Sequence, residues 1–119
     1  MDRVEPSVRG QNDGGSSVYK LIGILKRPDG VNLEAFHRWW LQEHAMLVKR
    51  FPGLKRYAIN LTTTGDQRYD GVAEVWFENK EDLERVFSTR EGQTARQSAT
   101  GHSGEIAILF TEEHVIVAD

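Results

Sequence analysis

The chain has 119 residues, 28% charged and 39% hydrophobic, the makeup of one ordinary globular domain. A net charge of −3 argues against a nucleic-acid partner; the densest basic stretch, Lys49-Arg50 and Lys55-Arg56, flanks a turn and reads as solvated surface. The absence of cysteine excludes disulfides and thiolate chemistry and suits a cytoplasmic setting. No apolar run reaches the roughly 20 residues of a membrane span or resembles a secretory signal.

Residues 1–17, rich in Gly, Ser, Asn and Asp without apolar period, read as a flexible tail, leaving one domain over 18–119. Val18 to Lys26 is short, rich in β-branched residues and apolar on both faces, as a central strand would be. Gly23 in its middle lets a ligand or side chain come close to the backbone. Pro28-Asp29-Gly30 turns the chain, and Asn32 is placed to cap a helix. Leu33, Phe36, Trp40, His44, Leu47 and Phe51 recur at helical spacing and form one inward stripe, with Pro52-Gly53 ending the helix. Leu54 to Leu61 and Gly71 to Glu78 read as a pair of strands around a polar loop. Asn79 caps a second helix that buries Leu83, Val86 and Phe87. Ser88 to Gly104 is polar, a helical stretch followed by a loop, and Glu105 to Val117 is the last strand.

The order β-α-β-β-α-β predicts an α+β, ferredoxin-like fold with a four-stranded antiparallel sheet. Both helices cover one sheet face. The opposite face carries enough apolar side chains to need a cover, and a second copy in a twofold homodimer supplies it.

Several segments in this order resemble the EthD-like family of dimeric α+β barrel proteins. They are Lys20 to Pro28, Phe36 to Trp40, Glu43-His44, Phe51-Pro52-Gly53-Leu54-Lys55-Arg56-Tyr57, Asp70 to Phe77 and Glu112-Glu113-His114-Val115. The likeness spans about residues 19 to 117, with His44-Ala45-Met46 standing where the family typically has His-Gly-Pro. The resemblance implies a homodimer with a pocket between each sheet and its helices, and chemistry without metal or organic cofactor. Relatives implied by it include lactone isomerases, polyketide decarboxylases and cyclases, and cofactor-free oxygenases.

Among candidate site residues, His44 stands out as an imidazole on an otherwise apolar helix face, suited to acid/base work or to donation to a substrate carbonyl. A core histidine satisfied by one hydrogen bond is the alternative. Glu74, between Val72 and Trp76 on a central strand, is either an acid or orienter paired with a histidine, or one half of a salt bridge to an arginine. His114 follows Glu112-Glu113 near a strand end, within reach of a pocket mouth or a partner subunit. Trp40, Phe36, Leu21, Ile24 and Val72 are the expected pocket walls, with Tyr57 and Tyr19 as possible hydroxyl donors to an oxyanion. Trp39 should point sideways, His37 should meet solvent, and His102 should be solvated. No His-x-x-x-His or His-x-His pair suggests a metal, and no phosphate loop or nucleophile elbow is present.

These residues suggest a cofactor-free lyase or isomerase of the decarboxylase, cyclase or isomerase type. Its substrate would be a small apolar, carbonyl-bearing polyketide, lactone or aromatic catabolite, with His44 as the acid/base group. A cofactor-independent monooxygenase and a non-enzymatic small-molecule binder are the alternatives.

Overall fold

A computed structural model describes residues 18–119; the N-terminal tail expected over 1–17 lies outside the described residues. Four strands, β1 (Val18–Lys26), β2 (Leu54–Leu61), β3 (Gly71–Phe77) and β4 (Glu105–Glu113), form one antiparallel sheet in the order β2-β3-β1-β4. The two longest, most apolar strands run side by side in the centre and at one edge, as strands one and four of this topology must. The fold is ferredoxin-like.

Side-chain alternation gives the sheet two unlike faces. Leu21, Leu25, Ala73, Val75 and Phe77 turn toward the helices and are buried. Ile22, Ile24, Val72, Glu74, Trp76 and Leu109 belong to the opposite face, which no helix covers.

The first crossover departs from the single continuous helix the spacing predicts. Asn32 caps α1 (Leu33–Trp39), its side-chain oxygen accepting from the Ala35 amide at 2.7 Å. Residues Trp40–His44 then widen into one π-helical turn, closed by the Ala45 amide donating to the Trp40 carbonyl, before α2 (Ala45–Val48) resumes. The extra residue in that turn moves the inward face by one position. Val48 is buried after it, and the expected Leu47 is only half-buried. Trp39 also turns inward rather than sideways. Gly53 leaves the helix at φ 75°, the left-handed exit its sequence position suggests.

The second crossover is broken too. Asn79 caps a short α3 (Lys80–Glu84), a 3₁₀ turn follows over Val86–Ser88, and Thr89 then caps α4 (Arg90–His102). The polar segment read as part helix, part loop is therefore the principal helix on this side. Its inward face is marked by Gly92, Ala95 and Ala99 rather than by large apolar residues, so a helix of low hydrophobicity lies close against the sheet.

Candidate active site

A cavity of about 60 Å³ lies between the helix-side face of the sheet and the helices. It has room for about four waters by the volume each occupies, or for a small organic group. Leu21, Gly23 and Leu25 of β1 contribute to its floor, Trp40, His44 and Val48 to one wall, and Ala95 and Ala99 of α4 to the other. Phe87 and Arg96 line both this cavity and an outer groove along α4. The lining is overwhelmingly apolar; besides Arg96, three polar groups interrupt it.

The first is His44, which is 7% exposed. Its Nδ1 is hydrogen-bonded to Ser98 Oγ at 3.1 Å, and its Nε2 has no partner among the described residues. The ring stacks on Trp39 at 5.1 Å, and the far side of Trp39 stacks on His102 at 4.8 Å. An indole thus sits between two imidazoles, and α1, the π turn and α4 are locked together by it. Burial, aided by the nearby His102, pushes the His44 pKa down to about 4. The imidazole is neutral at physiological pH.

The other two are Trp40 and Tyr57. The Trp40 indole nitrogen and the Tyr57 hydroxyl are sealed from solvent, and the indole N–H lies beside the phenol oxygen. Trp40 is 1% exposed and lies flat against the start of β3. A side chain at Gly71 would place its Cβ 2.5 Å from the indole, so only glycine allows this approach. Burial raises the Tyr57 pKa, the neighbouring Trp40 indole opposing it, so the phenol stays protonated.

Leu21, Trp40, His44 and Tyr57 are thus brought together, and the other expected site residues are not. Phe36 is buried behind the cavity, stacked on Trp39 at 5.4 Å. Val72 and Ile24 lie on the opposite sheet face, because the β3 and β1 residues that reach the cavity are the ones between them. Glu74 shares that far face. It bonds Lys20 Nζ at 2.8 Å and accepts from Asn60 at 3.2 Å, so its partner is a lysine of the adjacent strand and neither a histidine nor an arginine. The Lys20 ammonium holds the Glu74 carboxyl below its ordinary range, burial opposing. His114 lies just past the end of β4, exposed, with Glu112 at 3.5 Å. Tyr19 packs against the core at the other end of the sheet.

Two further histidines are held by the fold. His37 is half-buried, its Nε2–H donating to the Asp70 carbonyl at 2.7 Å and tying α1 to the β2–β3 loop. His102 is exposed but is held against Trp39. Sequence reasoning missed Ser98, whose only signal is its place one residue before Ala99 on the small-residue face. Among the described residues no three His, Cys, Asp or Glu side chains gather as metal ligands would, and no helix is long and apolar enough to cross a membrane.

Residues 28–100 match the EthD domain family. The chain belongs to the EthD family. An EthD-family protein from Bacillus halodurans has the same fold, at a TM-score of 0.72 and 23% identity over 82% of this chain and 99% of that one. An 11.0 kDa protein of Rhodococcus erythropolis, encoded between thcB and thcC, is 29% identical over 84% of this EthD chain and 99% of its own length. A dimeric ferredoxin-like protein from Bacteroides fragilis matches at a TM-score of 0.62 and 16% identity, over 81% of this chain and 96% of that one. A hydroxynitrile lyase from Passiflora edulis matches at 0.67 and 10% identity, over 85% and 97%. EthD membership and this fold are compatible with small-molecule catalysis.

Proposed function

We propose that the chain is a cofactor-free lyase or isomerase that moves a proton next to the carbonyl of a small organic substrate, with His44 as the acid/base group. The observation that carries this reading is a neutral, buried imidazole on the wall of an apolar cavity, with one nitrogen bonded to Ser98 and the other free. With Nδ1–H donating to Ser98, Nε2 offers a lone pair to a substrate C–H, and the apolar walls keep water from competing for it. Ser98 and Trp39 fix the ring plane, and such orientation is a large part of what a general base needs. At about 60 Å³ the cavity as it stands takes only the reacting end of a small carbonyl compound. A polyketide chain requires the Phe87–Arg96 wall to swing outward. The relative from Passiflora edulis is a lyase on the same fold, which supports the reaction class.

The functional unit is a homodimer in which the uncovered sheet faces meet. The exposed Leu109 beside Ile22, Ile24 and Val72 on that face supports this, as does the dimeric Bacteroides fragilis relative.

The reading is tested by proton exchange. A panel of small ketones, 2-oxo acids and lactones is incubated in heavy water, and loss of the proton next to the carbonyl is followed by NMR. The wild-type protein accelerates exchange of at least one compound. His44→Ala slows it by about 100-fold or more while its circular dichroism spectrum is unchanged. Equal rates in the two proteins refute the assignment.

A further inference from the structure

We infer that Arg96 sets the specificity of the site: its guanidinium takes the carboxylate of the substrate, so the compounds turned over are oxo acids in preference to neutral ketones. The inference deepens the acid/base reading of His44 and rests on it for the reaction. The anion site itself stands on separate observations.

The cavity beside His44 takes only the reacting end of a substrate, and the groove along α4 is the space that adjoins it. Phe87 and Arg96 border both, so a molecule that spans the two passes the guanidinium. An exposed arginine is ordinarily just solvated; its place and its partners set this one apart. The Arg96 guanidinium carbon lies over the Phe87 ring, 5.1 Å from its centroid, and Phe87 packs in turn against Phe110. Stacking fixes the charged head through its flat face and leaves the N–H donors in its plane open. Arg27, Arg68, Arg85 and Arg90 each meet a carboxylate of this chain. Arg96 meets none among the described residues. Its neighbours three and four positions along α4 are Gly92, Gln93, Ala99 and Thr100, none of them acidic. Arg38 and Arg50 do not border the cavity.

The rest of the groove says which anion fits. Gln93, Gln97 and Thr100 hydrogen-bond but carry no charge, so one positive charge stands there, the complement of a monoanion. A planar carboxylate matches the guanidinium fork with two parallel hydrogen bonds. Held there, the substrate lies with its acid end in the groove and its ketone end past Phe87, toward His44. Binding energy gathered at the remote carboxylate then serves to orient the carbon that gives up its proton.

Levulinate and 5-oxohexanoate, each beside its methyl ester, are titrated into the protein by NMR; acid and ester share the ketone and differ in charge. Xenon, which fills apolar cavities whatever charge borders them, reports on the cavity separately. The wild type binds at least one acid about tenfold more tightly than its ester, the scale of one charge-assisted pair at an open site, and added salt narrows the gap. Arg96→Gln abolishes the preference and leaves ester affinity unchanged. Arg96→Lys keeps part of it, as a point charge without the fork. Because Arg96 is exposed on α4, both variants keep the circular dichroism spectrum, unfolding midpoint and xenon binding of the wild type. In proton exchange the loss in Arg96→Gln falls on KM for the acid, with kcat little changed. His44→Ala loses exchange but keeps the acid preference. Preference without exchange therefore counts against His44 alone, and exchange of neutral ketones without acid preference counts against Arg96 alone. The inference is overturned if no acid binds, if acid and ester bind the wild type equally, or if Arg96→Gln keeps the preference.

Discussion

The two faces of the sheet use polar groups in opposite ways. On the uncovered face every notable charge is matched inside the chain. Lys20 Nζ lies 2.8 Å from both Glu74 and Glu113, Glu113 also accepts from the Trp76 indole at 3.1 Å, and the guanidinium of Arg56 sits over the Trp76 ring at 4.5 Å. On the helix side there are fewer polar groups: Arg96, the Trp40 indole beside the Tyr57 phenol, and His44, one of whose ring nitrogens is left open. Self-satisfied polar groups stiffen a surface, whereas an open ring nitrogen on an apolar cavity wall can meet a ligand. That contrast is why Glu74 reads as structural here, the reverse of the role its residue type suggests.

The largest effect that sharpens this contrast is the response of stability to acid. His44 has a folded pKa of about 4 against 6.5 when free, so the unfolded chain binds the proton first. The associated stability is fully present above pH 6.5 and drains as pH falls from 6.5 toward 4, by about 3 kcal/mol in all. The groups facing the ring are His102, across Trp39, and Ser98, with Arg96 elsewhere on the cavity wall. Urea unfolding at pH 7 and pH 4.5 measures the loss, and His44→Gln removes most of it. Identical pH slopes in the two proteins would mean that the ring is already hydrated in the folded state.

The uncovered face gives a smaller and differently distributed effect. Lys20→Met keeps the aliphatic stem over Trp76 but leaves Glu74 and Glu113 facing each other without a cation. The side chains involved are between 13% and 28% exposed, so the pair is only partly screened. A cost of about 2 kcal/mol in urea unfolding is expected, with the exchange rate per folded molecule unchanged. Light scattering on wild type gives twice 13.5 kDa if this face pairs with a second copy. A Lys20→Met protein that stays stable and loses exchange would place chemistry on this face and dissolve the contrast.

How far the sequence carried this reading depends on what each segment displays. The strands were legible because β1 and β4 are β-branched, apolar and bounded by turn residues, and the inward-facing His44 was legible because its neighbours at helical spacing are apolar. The π turn was not. Nothing in Trp40-Leu41-Gln42-Glu43-His44 marks an added residue, and only the exchange of Leu47 for Val48 on the buried side reveals it. Helix α4 was blurred because its packing face is built from glycine and alanine, which carry almost no hydrophobic signal. Glu74 was misplaced for a different reason. Alternation assigns two faces to a strand but does not say which one the helices cover, and that depends on how distant elements fold back.

The smallest expected change in stability is the one that separates cavity from core most cleanly. Gly23 stands in the middle of β1 on the cavity floor, and a Cβ built there meets no heavy atom within 4 Å. Its backbone is not in the left-handed region, so alanine fits without strain. Gly23→Ala restricts the unfolded chain, which should raise stability by about 0.5–1 kcal/mol, read as a higher unfolding midpoint. The same methyl projects into space that a substrate would fill, so proton exchange and xenon binding should both fall. Core packing alone predicts the first change without the second. A variant that is both more stable and fully active would mean that the space beside Gly23 is an incidental void, and that the substrate sits elsewhere on the molecule.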